Sequence, residues 1–187
     1  MIEVEIKLPI KNKEEVSAKL QEMGFVKADL ICEEDVYFDN ASGQIRKQGE
    51  ALRVRKVQNL LLTGKSQAVI TYKGKKIDPV SMTRKELETG VSDGEICAGI
   101  FEALGFYKVP PAVIKKRQEY VLRRITACMD QVENLGNFLE LEVVIPEEED
   151  RKEALQQIEE ILHKLGYTLK DTVRNSYLSM LQGREDE

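Results

Sequence analysis

Five short words of the chain carry two charges of one sign separated by a single residue. They are Glu3 and Glu5 in EVE, Arg53 and Arg55 in RVR, Glu86 and Glu88 in ELE, Lys115 and Arg117 in KKR, and Glu140 and Glu142 in a second ELE. In an extended strand, residues i and i+2 point to one face. Each word therefore aims two like charges the same way. The residues between are mostly aliphatic: Val4, Ile6 and Leu8 oppose Glu3, Glu5 and Lys7, Leu52 and Val54 oppose Arg53 and Arg55, and Leu139, Leu141 and Val143 oppose Glu140 and Glu142. A sheet with one face in water explains one such strand. It does not explain five, because paired carboxylates or paired guanidiniums repel unless opposite charge stands between them. Closing the sheet into a barrel brings the charged faces together on its axis and turns the aliphatic faces outward, beneath helices.

The lining expected of that barrel has Lys7, Arg53, Arg55, Lys73, Arg84, Lys115 and Arg117 as bases, and Glu3, Glu5, Glu86, Glu88, Glu140 and Glu142 as acids. A buried charge left unpaired costs several kcal/mol, so the lumen must be wet, internally paired, or filled by ions and ligand. Clustered carboxylates suit hard divalent cations. Clustered Arg and Lys suit phosphate, with Arg binding in bidentate fashion.

Three helices are predicted between the strands. Asn12 and Glu15 have capping-box spacing before a Val16, Leu20, Met23 stripe. Ser92 and Glu95 repeat the device before Ile96, Ile100 and Leu104. Pro146 precedes a third helix with Leu155, Ile158, Leu162 and Leu165 inward. The exits LQEMGF, FEALGF and LHKLGY each run through Gly to an aromatic that is expected to open a strand. The run AVIKKRQEYVLRRIT is rich in β-formers and reads as β-structure, and LGN before the last strand reads as a hairpin turn. An acidic strand, then a helix, then a basic strand recurs as an internal repeat.

The chain's 187 residues are 42% hydrophobic and 33% charged, and its net charge of −5 argues against a general nucleic-acid binder. No apolar run approaches the ~20 residues of a membrane span, and the N-terminus has no long apolar core. Cys32, Cys97 and Cys128 are odd in number and far apart, which suits buried free thiols in a reducing cytoplasm. Gly64-Lys65-Ser66 lacks the upstream glycine of a phosphate loop, and a hairpin turn is expected there. The one histidine, His163, suits the end of the third helix, so His-centred triads and zinc sites are not expected.

Beyond these readings, EVEIK resembles the E-x-E-x-K signature of the CYTH superfamily, the triphosphate tunnel metalloenzymes. The resemblance continues in order through DVYFD, LRVRK, YKG, TRKELE, KKRQEY, MDQVENLGNFLELE and NSYLSML, over nearly the whole chain. It implies an α+β fold: a closed eight-stranded antiparallel β-barrel forming a tunnel, with helices packed outside. It also implies a single domain over 1–182 with an acidic tail at 183–187. Carried over by position, Glu3, Glu5, Asp130, Glu140 and Glu142 would hold Mg2+ or Mn2+. Arg53, Arg55, Lys73, Lys115 and Arg117 would grip phosphates, with Glu86 and Arg84 beside the substrate. Lys7, Glu5 and Glu142 would be catalytic.

The branch most similar is that of class IV adenylyl cyclases. It implies conversion of ATP to cyclic AMP and pyrophosphate and, by analogy, a homodimer. Hydrolysis of thiamine triphosphate or inorganic triphosphate is the alternative, and a non-catalytic triphosphate or polyphosphate-binding module is a third. Neither a nucleic acid nor a membrane partner is implied.

Overall fold

The computed structural model describes residues 2–62, 66–77, 81–147 and 150–183. Eight strands form one closed antiparallel barrel: β1 (Ile2–Pro9), β2 (Val26–Asn40), β3 (Ala51–Asn59), β4 (Gln67–Lys76), β5 (Arg84–Val91), β6 (Phe106–Leu122), β7 (Ile125–Val132) and β8 (Gly136–Ile145). Their order around the wall is β1-β5-β4-β3-β2-β6-β7-β8. Helices α1 (Lys13–Glu22), α2 (Gln44–Lys47), α3 (Gly94–Ala103), α4 (Arg151–Leu165) and α5 (Tyr177–Leu181) join or follow them.

The register explains the alternate-charge words. Glu5 lies opposite Glu142 and Lys7 opposite Glu140 across β1 and β8, so Val4, Ile6, Leu8, Leu139, Leu141 and Val143 turn outward together. They form the main core beneath Val16 and Leu20 of α1 and Ala154, Ile158, Ile161 and Leu162 of α4. Each large aliphatic side chain buried there contributes about 1.5–3 kcal/mol. The hydrophobic core thus lies outside the barrel, and the barrel's interior is left to polar groups. α1 starts as its sequence predicts, with Asn12 Oδ1 accepting from the Glu15 amide at 3.1 Å.

Two expectations are corrected. The first concerns α3. Asp93 caps it, not Ser92, accepting from the amides of Glu95 and Ile96 at 2.9 and 3.0 Å. The predicted stripe of Ile96, Ile100 and Leu104 is 63%, 53% and 70% exposed, and Cys97 and Ala98 are buried instead. α3 is apolar nearly all round, so spacing alone does not choose its buried face. Phe101 does, by packing edge-on to Phe38 at 5.2 Å and against Phe106 at 5.9 Å. Second, the exit from α4 does not open a strand. A 3-10 turn at Leu169–Asp171 follows, and the Val173 amide donates to the Lys7 carbonyl at 2.7 Å.

Elsewhere the turn before β8 is present, with Asn134 at φ 63° and Gly136 at φ 102°. The candidate phosphate-loop stretch falls between β3 and β4, where a hairpin connection was expected, and residues 63–65 of it lie outside the described residues. So do residues 184–187 of the acidic tail. Cys97 and Cys128 are buried, Cys32 is half-buried, and all three are free thiols. Among the described residues, no helix is long and apolar enough to cross a membrane.

Candidate functional site

Alternation along the strands places all thirteen of the predicted lining charges on the wall of one interior cavity of about 980 Å3. Most of the bases are held by acids. Arg55 donates from Nε to Asp35 Oδ1 at 2.6 Å, from Nη2 to Asp35 Oδ2 at 2.8 Å and from Nη1 to Glu33 Oε1 at 2.7 Å. Arg53 Nη1 donates to Asp35 Oδ2 at 3.2 Å. Lys115 pairs with Glu33 and Asp130, each at 3.1 Å. Arg117 donates to Asp130 from Nε and Nη2, both at 2.7 Å, and pairs with Glu140 and, at 3.4 Å, Glu142. Lys73 pairs with Glu86 and, at 3.2 Å, with Glu3. Lys7 lies 3.4 Å from Glu140 and 3.8 Å from Glu5. Arg84, also buried, donates to the Met82 carbonyl at 3.4 Å.

The carboxylates divide into two kinds. One kind is spoken for by cations. Burial raises Glu33, but Lys115, Arg55 and Arg117 outweigh it and hold the group at about 2. Burial likewise raises Glu140 and Asp35, yet Arg117, Lys115 and Lys7 take Glu140, and Arg53 and Arg55 take Asp35, well below the usual carboxylate range. The other kind is crowded. Burial and the neighbouring Glu140 and Glu3 raise Glu5 despite Lys7. Burial, with Glu3, Glu140 and Glu5 nearby, raises Glu142 well above its ordinary value despite Arg117. Glu86 is pushed up by burial and by Glu3, while Glu3 is pulled down by Lys73 against burial.

Oxygen atoms of Glu3, Glu5 and Glu142 lie within 4.8 Å of one another. Three convergent carboxylates whose mutual repulsion is not fully offset match the oxygen donor set of a hard divalent cation. Two expected metal ligands lie outside this trio. The Glu140 carboxylate is taken by Arg117 and Lys7. Asp130, the cross-strand partner of Arg117, is fully buried. Its oxygens accept from Arg117 and Lys115, and from Tyr177 Oη at 3.0 Å.

Three contributors escaped the sequence reading. Glu33 and Asp35 stand at alternate positions in CEEDV, the same device as the five charged words, but Glu34 between them masked the pattern. Tyr177 sits in a motif that carried no chemistry of its own. Its ring lies 4.2 Å from Lys7 Nζ and 5.2 Å from Lys115 Nζ, a cation–π arrangement at the end of the tunnel.

The profile of the CYTH domain family matches residues 1–177. A Methanocaldococcus jannaschii protein named "Putative adenylate cyclase" is 39% identical over 180 residues, covering 96% of this chain and 98% of its own. The solved structure of the PH1819 protein from Pyrococcus horikoshii superposes with a TM-score of 0.86 at 34% identity, covering 97% of this chain and 98% of that one. A Hippeastrum protein, described as a putative adenylyl cyclase with a dominant triphosphatase activity, shares the fold at a TM-score of 0.67. It is 16% identical and covers 98% of this chain and 96% of its own. A charged antiparallel tunnel, a carboxylate trio on its wall and a family match over nearly the whole length lead to one conclusion: the chain belongs to the CYTH domain family, whose members act on triphosphates.

Proposed function

We propose that this barrel binds a nucleoside triphosphate together with Mg2+ or Mn2+ and converts ATP to cyclic AMP and pyrophosphate. The observation that carries the reading is the Glu3, Glu5 and Glu142 trio, set in the same cavity as Arg53, Arg55, Lys73, Lys115 and Arg117. A divalent cation held by those carboxylates would neutralise phosphate oxygens and lower the pKa of an attacking hydroxyl. The chain's own part is positioning. The guanidinium groups, pre-oriented by Asp35, Glu33 and Asp130, offer donors in fixed directions to phosphate oxygens, at little reorganisation cost. Lys7, held between Glu5 and Glu140 and under the Tyr177 ring, supplies a fixed positive charge beside the trio. Arg84 and Glu86 line the same wall and complete the substrate contacts.

The name of the Methanocaldococcus jannaschii relative supports the cyclase reading. Hydrolysis is the second reading, favoured by the binding chemistry itself: a cation-lined tunnel grips any triphosphate, and water can replace the ribose hydroxyl as attacking group. The Hippeastrum protein carries that activity in its description. Incubation with ATP, thiamine triphosphate and inorganic tripolyphosphate, with Mg2+ or Mn2+, separates these readings. Cyclic AMP with pyrophosphate is the expected product pair. Orthophosphate from any of the three establishes hydrolysis, and tight binding without turnover would leave a triphosphate-binding module.

A further inference from the structure

The outer surface of α3 is not used by the barrel. Its inward side, with Cys97, Ala98 and Phe101, packs over Phe38 and Val54. Its outward side carries Ile96, Gly99, Ile100 and Ala103, all exposed. At 3.6 residues per turn these four form one strip, with Leu104 along one edge and Glu95 and Glu102 along the other. Ile96, Ile100 and Leu104 are each more than half exposed. The other two long helices turn charge to solvent: Glu14, Glu15 and Glu22 on α1, and Lys152, Glu153 and Glu160 on α4. A contiguous apolar strip on a helix that already buries its other side marks an interaction surface.

Gly99 is a second observation at the same place. Among the described residues, a Cβ added there meets nothing within 4 Å, so the space around it admits a side chain. Glycine inside a helix costs stability relative to alanine, and its use is to let another backbone come close. The strip is also complementary to its own copy. A twofold axis crossing the helix between positions 99 and 100 turns the copy end for end. Ile96 then stands at the level of the partner's Ala103, and Ile100 at the level of the partner's Gly99, so large meets small along the whole contact. The same turn opposes the two helix dipoles. Charge follows the same pattern. Lys108, paired with Glu102 at 3.5 Å beyond the end of α3, is brought toward the first turn of the other copy, where the partner's Glu95 stands.

We propose that the outer face of α3 is the contact between two copies of this chain, paired as antiparallel helices about a twofold axis. A face of three turns is smaller than the ~800 Å2 per partner of a standard interface, which places the dissociation constant in the micromolar range. The contact lies on the outside of the wall, behind β2 and β3, and leaves the tunnel lining untouched. It therefore stands or falls independently of the triphosphate reading.

Sedimentation velocity of the full chain, from low-micromolar to high-micromolar concentration, tests the contact. The unaltered protein should pass from monomer to dimer over that range. Ile100→Glu should raise the midpoint at least about tenfold, with tripolyphosphate binding and the melting temperature of the dilute protein unchanged. Gly99→Leu should weaken association in the same way while leaving the dilute protein as stable as before or more so, since the added side chain meets open space. A monomer at the highest concentration overturns the proposal, as does a dimer that both variants leave intact. Cross-linking tests the direction of the pair. The double variant Ile96→Cys/Ala103→Cys should form a covalent dimer on mild oxidation, and Ile96→Cys alone should not. In the antiparallel pair the two copies of position 96 are offset by seven residues, about 10 Å along the helix, beyond the reach of a disulfide. Cross-linking of the single variant to the same extent, or none of the double variant, contradicts the antiparallel pairing.

Discussion

At the scale of single residues, neighbouring glutamates on one strand face opposite demands. Glu140 and Glu142 are two positions apart, yet Glu140 is claimed by Arg117 and Lys7 and Glu142 is crowded by Glu3 and Glu5. Neutralising each should therefore act in opposite directions on stability. Glu140→Gln leaves Arg117 and Lys7 short of an acceptor and should lower the melting temperature, with a loss of roughly 3 kcal/mol, as for one partner removed from a buried pair. Glu142→Gln relieves repulsion and should leave the metal-free protein as stable as before or more so, while abolishing cation-dependent turnover. Thermal unfolding without added metal, beside an activity assay, reads both; the same sign of shift in the two variants would contradict the division. Glu33 gives a pH prediction. Its carboxyl is held at about 2, against an ordinary 4.5, so its contribution to stability is complete above pH 4.5 and is lost as pH falls from there toward 2. Glu33→Gln should flatten that part of the stability profile and, by loosening the pre-set orientation of Arg55 and Lys115, weaken tripolyphosphate binding. Denaturant titrations at pH 5, 4 and 3 measure the first effect, and calorimetry at neutral pH the second.

At the scale of elements, the C-terminal segment belongs to the site. Tyr177 packs edge-on to Phe138 at 5.1 Å, donates to Asp130 and covers the ammonium groups of Lys7 and Lys115. Tyr177→Leu should cost about 3 kcal/mol through lost packing. It should also weaken tripolyphosphate several-fold, because Asp130 and both lysines lose a fixed neighbour. Tyr177→Phe keeps the ring and should recover most of the stability, and a Phe variant as unstable as the Leu variant would show that the hydroxyl dominates. Only its place in NSYLSML marked Tyr177, since a lone tyrosine in a short helix has no periodicity and Asp130, the acceptor of its hydroxyl, lies 47 positions away. The strands were far more legible. Their alternation is a local property, so the charged words located Arg53, Arg55, Lys115, Arg117 and all six acids on one wall before any partner was known. α3 was misread for the converse reason: an apolar helix offers several stripes, and the choice among them is made by Phe38, on a strand distant in sequence.

At the scale of the whole molecule, the barrel's closure coincides with the wall that carries the carboxylate trio. Among the described residues β1 meets β8 along its full length, but meets β5 only where Ile2 lies opposite Lys85 and Glu3 opposite Arg84, helped by the Met82 amide donating to the Glu5 carbonyl at 2.8 Å. Glu3 and Glu5 thus belong both to the thinnest seam of the sheet and to the carboxylate trio. In the absence of a cation the crowded carboxyls push against that seam. On the proposed function, a divalent cation bound with a triphosphate would supply the opposite charge to the trio and tie β1 to β8, and Lys73 with Glu86 would extend that tie to β4 and β5. Local opening should therefore be greatest at β1–β5 in the unliganded protein and should be suppressed there first. Hydrogen exchange should show fast amides in Ile2–Glu5 and Arg84–Glu86 that slow on adding Mg2+ with a non-hydrolysable triphosphate, while the β6–β7 and β7–β8 ladders change little. Global stability should rise by about 2.7 kcal/mol at a ligand concentration one hundred times Kd. Uniform slowing across all eight strands would show that ligand acts on global unfolding alone and that the seam has no special part in binding.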